Sequence, residues 1–483
     1  MVTLKEKKSK TYNNLKNQVE KKLRADAKKE SKQTIMPQAS KKTGPVKVTV
    51  KGMEEDGKGI IEYEGQLVKI PYLITGEKAM VELKRKGRYF DAKLLKVVEP
   101  SADRVKPKCP YFYDCGGCHL QHMNDAAQNK HKEAKVQAIM KPFGQCQPII
   151  VMDDPYYYRN KCHATFASRG RDDIFTGIYK EYTHEVVKID KCIIQDKLAN
   201  SIIDTVTTLA KSFKYKAYNE DTGEGLLRHV MVRVGHQTRE AMVVLVMARN
   251  LFPSKNNFIK ALTDKHPEIK TIVMNINDKS TSMVLGDREN VVYGNGYIED
   301  ILGGYRFKIS SKTFYQVNTE QTEKLYAKAL EYADLKGRET VLDAYCGIGT
   351  ISLLASKRAR KVMGVELNKD SVKNAIDNAK LNNVKNPTFY QADAGEFMVE
   401  LAEKDHKIDV VFMDPPRSGS DEPFLESLVK LAPKKIVYIS CNPETQARDL
   451  KYLTKKGYKV DIIQPVDLFP STFHVENIWL LSR

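Results

Sequence analysis

Residues 434–443 read KKIVYISCNP and predict a buried parallel strand that ends at a sharp turn. Residues 436–439 are β-branched or aromatic, which is typical of strands covered on both faces. Residues 440–443 then break the strand with a proline. Ligands of open α/β sheets bind beyond the carboxyl ends of the strands, so Cys441 is expected to face a ligand. A single cysteine more often packs in a protein core, and only the other motifs of the chain favour a functional role for Cys441.

The composition of the 483-residue chain excludes several classes of protein. Its length suits two or three domains. No run of about 18 apolar residues is present, so we expect no membrane-spanning helix. The N-terminus lacks the apolar core of a secretory signal, and eight scattered cysteines are too few for a disulfide scaffold. We therefore expect a cytoplasmic monomer whose cysteines are metal ligands or catalytic thiols.

The charge of the chain predicts a polyanionic partner, most simply nucleic acid. The formal net charge is +18. Residues 1–45 hold thirteen Lys or Arg against four Asp or Glu, and we expect them to form a mobile basic tail. A solvated tail would account for that half of the charge. The other half lies on segments expected to fold, such as residues 84–88.

Residues 46–101 predict a small β-barrel of the oligonucleotide-binding type. Five short alternating strands are separated by glycine turns. Tyr89 and Phe90 lie beside the basic residues 84–88, and rings with cations suit unpaired RNA bases. A barrel that only contacts protein is the alternative.

Three cysteines follow with the spacing of a metal-binding loop. Cys109, Cys115 and Cys118 are separated by five and two residues, with two glycines before the last. Cys192 is the best candidate for a fourth ligand. Thiolate ligation suits either zinc or an iron–sulfur cluster, and three cysteines with a distant fourth favour the cluster. Zinc remains the alternative, although its usual second pair of cysteines is missing.

Residues 102–305 predict a central α+β domain that carries these cysteines. Its clearest strands are residues 229–235 and 240–250. Residues 156–161, YYYRNK, concentrate rings and cations. That segment either contacts RNA or packs as a half-buried tyrosine cluster.

Residues 306–483 predict an α/β domain with a Rossmann-like sheet. The strand at 340–345 leads into a glycine turn, CGIGT, and a helix. Glu366 ends the next strand nearly 20 residues later, where a carboxylate can accept from ribose hydroxyls. Asp393 and Asp414 end the third and fourth strands, so both are candidate cofactor-binding residues. This pattern indicates an S-adenosylmethionine methyltransferase sheet, with the last strand antiparallel.

Five motifs in this order resemble those of the RNA uracil-5-methyltransferase family. They are FYQVN (314–318), DAYCGIGT (343–350), DPPR (414–417), SCNP (440–443) and HVE (474–476). The cysteine loop and the preceding barrel resemble the branch that acts on 23S ribosomal RNA, with a TRAM domain and a [4Fe–4S] cluster. The resemblance spans residues 46–483.

The resemblance implies a role for each matching residue. Cys441 would be the nucleophile and Glu476 the base. The methyl donor, S-adenosylmethionine, would lie among Gln316, Tyr345, Glu366 and Asp414. The cluster ligands would be Cys109, Cys115, Cys118 and Cys192.

The chemistry of uracil requires the same groups. Carbon 5 becomes nucleophilic only after a thiolate adds at carbon 6, and a base must then remove the carbon 5 proton. We expect the pKa of Cys441 to fall below the free value of about 8.5. The target nucleotide must leave its helix to be reached. Two alternatives are tRNA methylation and a non-catalytic RNA-binding ribosome-assembly factor.

Overall fold

The computed structural model describes residues 44–170, 173–281 and 283–483. The predicted basic tail, residues 1–45, lies outside this range except for its last two residues. The described chain forms two compact units, residues 44–52 with 59–100, and residues 53–58 with 101–483. Among the described residues, no helix has the length and apolar character needed to cross a membrane.

Residues 46–99 form short strands around a small apolar core. The core contains Val48, Ile61, Val68, Val81 and Leu83. The sequence predicts five strands, but the structure has six. The alternating pattern of residues 46–53 predicts one strand, but that stretch divides in two. The N–H of Val50 donates to the backbone carbonyl of Glu77, whereas the N–H of Lys51 donates to that of Ile60. The strands are β1 (Val46–Thr49), β2 (Gly52–Met53), β3 (Gly59–Tyr63), β4 (Gln66–Ile70), β5 (Lys78–Lys86) and β6 (Tyr89–Glu99).

The second unit begins with the cysteine loop, a helix and a seven-stranded sheet. The sheet order is β13-β12-β11-β10-β7-β8-β9. The two strands predicted most clearly, β10 and β11, are neighbours, antiparallel and fully buried. The elements are α1 (Asp125–Met140), β7 (Lys161–Arg169), β8 (Asp173–Tyr179), β9 (Val186–Lys188), α2 (Lys197–Ser212), β10 (Leu227–Val234), β11 (Ala241–Met247), α3 (Lys255–Lys265), β12 (Ile269–Ile276) and β13 (Arg288–Gly294). A hairpin of β14 (Tyr297–Leu302) and β15 (Tyr305–Ser310) follows.

The predicted Rossmann-like sheet is confirmed over the C-terminal part of this unit. Its order is β18-β17-β16-β19-β20-β22-β21, and β22 is antiparallel to both neighbours, as predicted. The strands are β16 (Thr340–Ala344), β17 (Lys361–Glu366), β18 (Pro387–Gln391), β19 (Val410–Met413), β20 (Lys435–Ser440), β21 (Lys459–Val466) and β22 (Glu476–Ser482). The helices are α4 (Thr319–Ala333), α5 (Thr350–Ser356), α6 (Lys369–Leu381), α7 (Ala394–Glu403), α8 (Glu422–Leu431) and α9 (Pro443–Lys455).

Alternating residues of each strand face two separate cores. On β20, Val437 and Ile439 pack with α4 and α5, whereas Ile436 and Tyr438 pack with α1, α8 and α9. The other strands alternate in the same way. Because side chains two apart lie on one face, this alternation decides which residues meet at the carboxyl ends of the strands.

Candidate active site at the strand ends

The pairing of β20 with β22 brings Cys441 and Glu476 together. Ser440 is opposite Asn477, so Cys441 and Glu476 are the next residues along the two strands. Both continue the alternation of Ile439 and Ile478, which face the core of α4 and α5. The carboxyl of Glu476 raises the pKa of Cys441, as expected for a carboxyl close to the thiol.

The acids predicted to end neighbouring strands share this face. Asp343 and Asp414 each lie two residues beyond a side chain, Val341 or Phe412, that packs in the core of α4 and α5. Glu366 lies two residues beyond Gly364 on the same face. The hydroxyl of Ser352 donates to Asp343 at 2.6 Å. Burial raises the pKa of Asp343 and of Asp414 to about 7 in each case. The strand ends therefore carry three carboxyls on one face, of which Asp343 is buried and Glu366 and Asp414 are half-buried.

The glycine turn before α5 provides the close approach expected of a nucleoside site. Gly347 and Gly349 have φ values of +54° and +82°. A side chain at Gly349 would meet the ring of Phe389 at 3.0 Å, whereas the space beside Gly347 is open. Glu366 accepts the N–H of Gly347 at 3.2 Å. Glu366, whose carboxylate is predicted to bind the ribose, therefore also holds the glycine turn that would lie against the ribose.

The other predicted donor residues lie around the same strand ends. The carbonyl of Gln316 accepts from the side chain of Asn160 at 2.9 Å, and its side chain interacts with Tyr326. The ring of Tyr345 lies 5.3 Å from that of Phe424.

Asp393 has a structural task at the N-terminus of α7. Its Oδ1 accepts the N–H groups of Gly395 and Glu396 at 2.9 and 3.1 Å. Asp393 was predicted only to bind the cofactor, although an Asp before Ala-Gly-Glu is also a typical helix start.

The expected low pKa of Cys441 is wrong for this structure. Burial raises the pKa of Cys441 to about 11, and the nearby Glu476 adds to the increase. Arg417 acts in the opposite direction through its charge and a hydrogen bond. Burial also raises the pKa of Glu476 well above its usual value. The expectation failed because it considered the reaction and not the burial of the thiol, to which the neighbouring carboxyls add.

His474 is a site residue to which the sequence analysis gave no role. Its Nδ1 lies 3.5 Å from Nη2 of Arg417. Its ring packs 4.3 Å from Phe473 and 6.1 Å from Phe469. Burial and neighbouring cations lower the pKa of His474 to about 4, so the ring is neutral near pH 7. The HVE motif (residues 474–476) is the sequence signal that could have identified His474 as a site residue.

The four predicted ligand cysteines line one cavity of about 380 Å³. No group of three or more His, Cys, Asp or Glu side chains in the described ranges has metal-binding geometry. The thiols nevertheless receive N–H groups, from Tyr111 to Cys109, from Gly117 to Cys115 at 3.3 Å, and from Ile194 and Gln195 to Cys192. Such N–H···S contacts are typical of sulfur ligands. Burial raises the pKa of all four, so ionising them together requires a compensating cation.

The sheet order and the carboxyls at its strand ends define the class of the protein as the S-adenosylmethionine-dependent methyltransferases. Comparisons with known proteins narrow the class. The family model for tRNA (uracil-5-)-methyltransferases matches residues 124–483. An uncharacterized RNA methyltransferase of Halalkalibacterium halodurans is 40% identical over 448 residues, which are 91% of this chain and 97% of that protein. One of Clostridium acetobutylicum is 41% identical over 92% of this chain and 98% of its own.

A solved structure is similar over nearly the whole chain. The Pyrococcus abyssi tRNA (uracil-54, C5)-methyltransferase, in complex with S-adenosyl-L-homocysteine, matches with a TM-score of 0.75 and 27% identity. The match covers 90% of this chain and 99% of that one. The chain therefore belongs to the tRNA (uracil-5-)-methyltransferase family and is an S-adenosylmethionine-dependent RNA methyltransferase.

Proposed function

We propose that the protein methylates carbon 5 of a uridine in 23S ribosomal RNA through a covalent bond from Cys441 to the base. The observation that carries the proposal is the position of Cys441 beside Glu476 on one face of the sheet. A nucleophile and a base are both required at carbons 6 and 5 of one ring, and these two side chains are neighbours.

The residues divide the reaction between them. The thiol of Cys441 loses its proton to solvent beside Arg417, and the resulting thiolate adds to carbon 6, which leaves carbon 5 as the nucleophile. Bound S-adenosylmethionine supplies the electrophilic methyl group. Glu476 then takes the proton from carbon 5 as the carbon–sulfur bond breaks and the ring regains its double bond. Arg417, which favours ionised Cys441 and ionised Glu476 alike, promotes both roles.

We further propose that residues 46–101 act as a TRAM domain that binds RNA and that the four thiols hold a [4Fe–4S] cluster. The first proposal rests on the basic β5–β6 hairpin with its exposed Tyr89. The second rests on the shared cavity and the N–H groups directed at the sulfurs. Zinc is the alternative occupant, and metal analysis of protein purified without oxygen distinguishes the two.

Methylation of tRNA is the second candidate. The similarity to the Pyrococcus abyssi tRNA enzyme covers 90% of this chain. That share is larger than residues 101–483, so the similarity extends into the residues before 101. The presence of an N-terminal domain therefore does not distinguish an enzyme that methylates ribosomal RNA from one that methylates tRNA. This removes the barrel as an argument for ribosomal RNA. The cysteine loop still favours 23S ribosomal RNA, because the resemblance to that branch includes it.

The proposal is tested with two RNA substrates and two cysteine variants. Unmodified 23S ribosomal RNA and tRNA are each incubated with the protein and labelled donor, and 5-methyluridine is measured by mass spectrometry. We expect Cys441→Ala to abolish methyl transfer and to retain RNA binding within a few-fold. Cys146→Ala, a cysteine outside the site, is the matched control. Near-normal methylation by Cys441→Ala would overturn the mechanism, and methylation of tRNA alone would overturn the substrate.

A further inference from the structure

Two cations, Lys161 and Arg233, face each other across neighbouring strands of the central sheet. Lys161 on β7 is directly opposite Arg233 on the antiparallel strand β10. Side chains at opposite positions share one face and lie close together, and like charges there destabilise a sheet. An anion bound beside the two cations would offset their repulsion.

A third cation, Arg159, lies at the same place. Its Nε donates to the carbonyl of Lys161 at 3.2 Å. Burial first, and then the charges of Arg233 and Arg159, lower the pKa of Lys161 to about 8. Burial alone lowers the pKa of Arg233 to about 10. No acidic side chain contributes to either shift.

The guanidinium of Arg233 is only partly satisfied by protein groups. It is buried, and Nη2 donates to the carbonyls of Ser311 and Thr313. Its Nε has no hydrogen-bond partner within the described part of the chain. Side chains of Lys161 and Arg159 are half-buried, so a ligand from solvent can reach them.

The three cations lie beside the candidate active site. Asn160, between Arg159 and Lys161, donates to the carbonyls of Gln316 and Val317. This segment also carries Phe314, whose side chain is 67% exposed. In the other direction Arg159 and His163 line the thiol cavity, which reaches Arg417. The segment of Arg159 and Lys161 is therefore joined to residues 316 and 317 through Asn160, and Arg159 also lines the cavity that Arg417 borders.

We infer that Lys161, Arg159 and Arg233 bind a phosphate group of the RNA backbone next to the nucleotide that is methylated. A phosphate offers several acceptor oxygens and a negative charge, which match two guanidinium groups and one ammonium group. The assignment of the phosphate to RNA rests on the proposed function. It goes further by naming residues that would position the strand.

The test measures RNA binding without donor, so that methyl transfer plays no part. A single-stranded uridine-rich oligonucleotide is titrated into wild type, Lys161→Gln, Lys161→Arg and Lys270→Gln over a range of KCl concentrations. Lys270, exposed on β12 of the same sheet, is the matched control. We expect Lys161→Gln to weaken binding about tenfold and to reduce the salt slope by about 0.7, the value for one phosphate contact on a single strand. Lys161→Arg should retain both, and Lys270→Gln should match wild type.

Thermal unfolding without RNA separates binding from folding. Removing a like charge should leave the midpoint of Lys161→Gln unchanged or raise it, whereas a structural role predicts a lower midpoint. A lower midpoint, or a salt slope equal to that of wild type, would overturn the inference. If wild type fails to methylate uridine while the slope still changes, the proposed function fails and the phosphate site stands.

Discussion

At the scale of single residues, ionisation of Cys441 depends on Arg417. Burial and Glu476 raise the pKa of Cys441 to about 11, and Arg417 opposes them. The thiol is therefore almost wholly protonated near pH 7, and the thiolate fraction rises with pH until the pKa is passed. Nδ1 of His474, whose ring is neutral near pH 7, lies 3.5 Å from Nη2 of Arg417 and can accept a hydrogen bond from it.

The reactivity of Cys441 tests this account. Alkylation by iodoacetamide should rise with pH towards about 11 in wild type, because only the thiolate reacts. Arg417→Gln should shift the profile to higher pH, since the cation that favours the thiolate is removed. Mass spectrometry of the same digest follows Cys146, whose pKa burial also raises to about 11, as an internal control. Superimposable Cys441 profiles for the two proteins would contradict a role for Arg417.

At the scale of elements, α1 fastens the loop that precedes Glu476. Nζ of Lys132 lies 2.5 Å from Oδ1 of Asp467, and both side chains are buried. The same ammonium donates to the carbonyl of Phe469 at 3.0 Å. Ser471 accepts the N–H groups of His119 and Leu120 from the cysteine loop. Residues 467–475 are therefore held by α1 on one side and the cysteine loop on the other.

Breaking the buried pair should cost much more stability than breaking an exposed one. Lys132→Met leaves Asp467 buried without its cation, and we expect the free energy of unfolding to fall by about 3–5 kcal/mol. The double variant Lys132→Met/Asp467→Leu should recover most of that loss. Chemical denaturation measures both. Lys260→Met, which breaks an exposed pair on α3, is the control and should cost less than about 1 kcal/mol. An equally small loss for Lys132→Met would show that the pair is not structurally important.

At the scale of the whole molecule, the four thiols join distant segments of the chain. Cys192 lies beyond β9, whereas the other three precede α1, and all four line one cavity. A group bound by all four would be linked to folding, because ligands bound only in the native state stabilise it.

This linkage predicts a metal-dependent unfolding midpoint. Protein purified without oxygen should contain iron and sulfide, and its midpoint should fall when the metal is removed with a chelator. Cys192→Ala should lose the metal and show the lower midpoint from the start. Cys146→Ala should behave as wild type. A zinc-containing, colourless preparation would contradict the cluster, and a metal-free wild type with the same midpoint would contradict any resident metal.

Much of the fold follows from local sequence. Residues 436–439 form a buried strand because their side chains suit a sheet covered on both faces. The carboxyls and Cys441 lie at strand ends because a turn follows each of these strands directly in the sequence. Their presence at one edge could be predicted, since parallel strands all end there.

What the sequence determined by itself were the strands, the class of sheet and the acids and thiol at its edge, because these depend on neighbours along the chain. The raised pKa of Cys441, the position of Lys161 opposite Arg233 and the pairing of Lys132 with Asp467 across 335 residues depend on the tertiary structure. These properties depend on burial and on contacts between distant residues. Periodicity and spacing report neither, because both arise only when the elements pack.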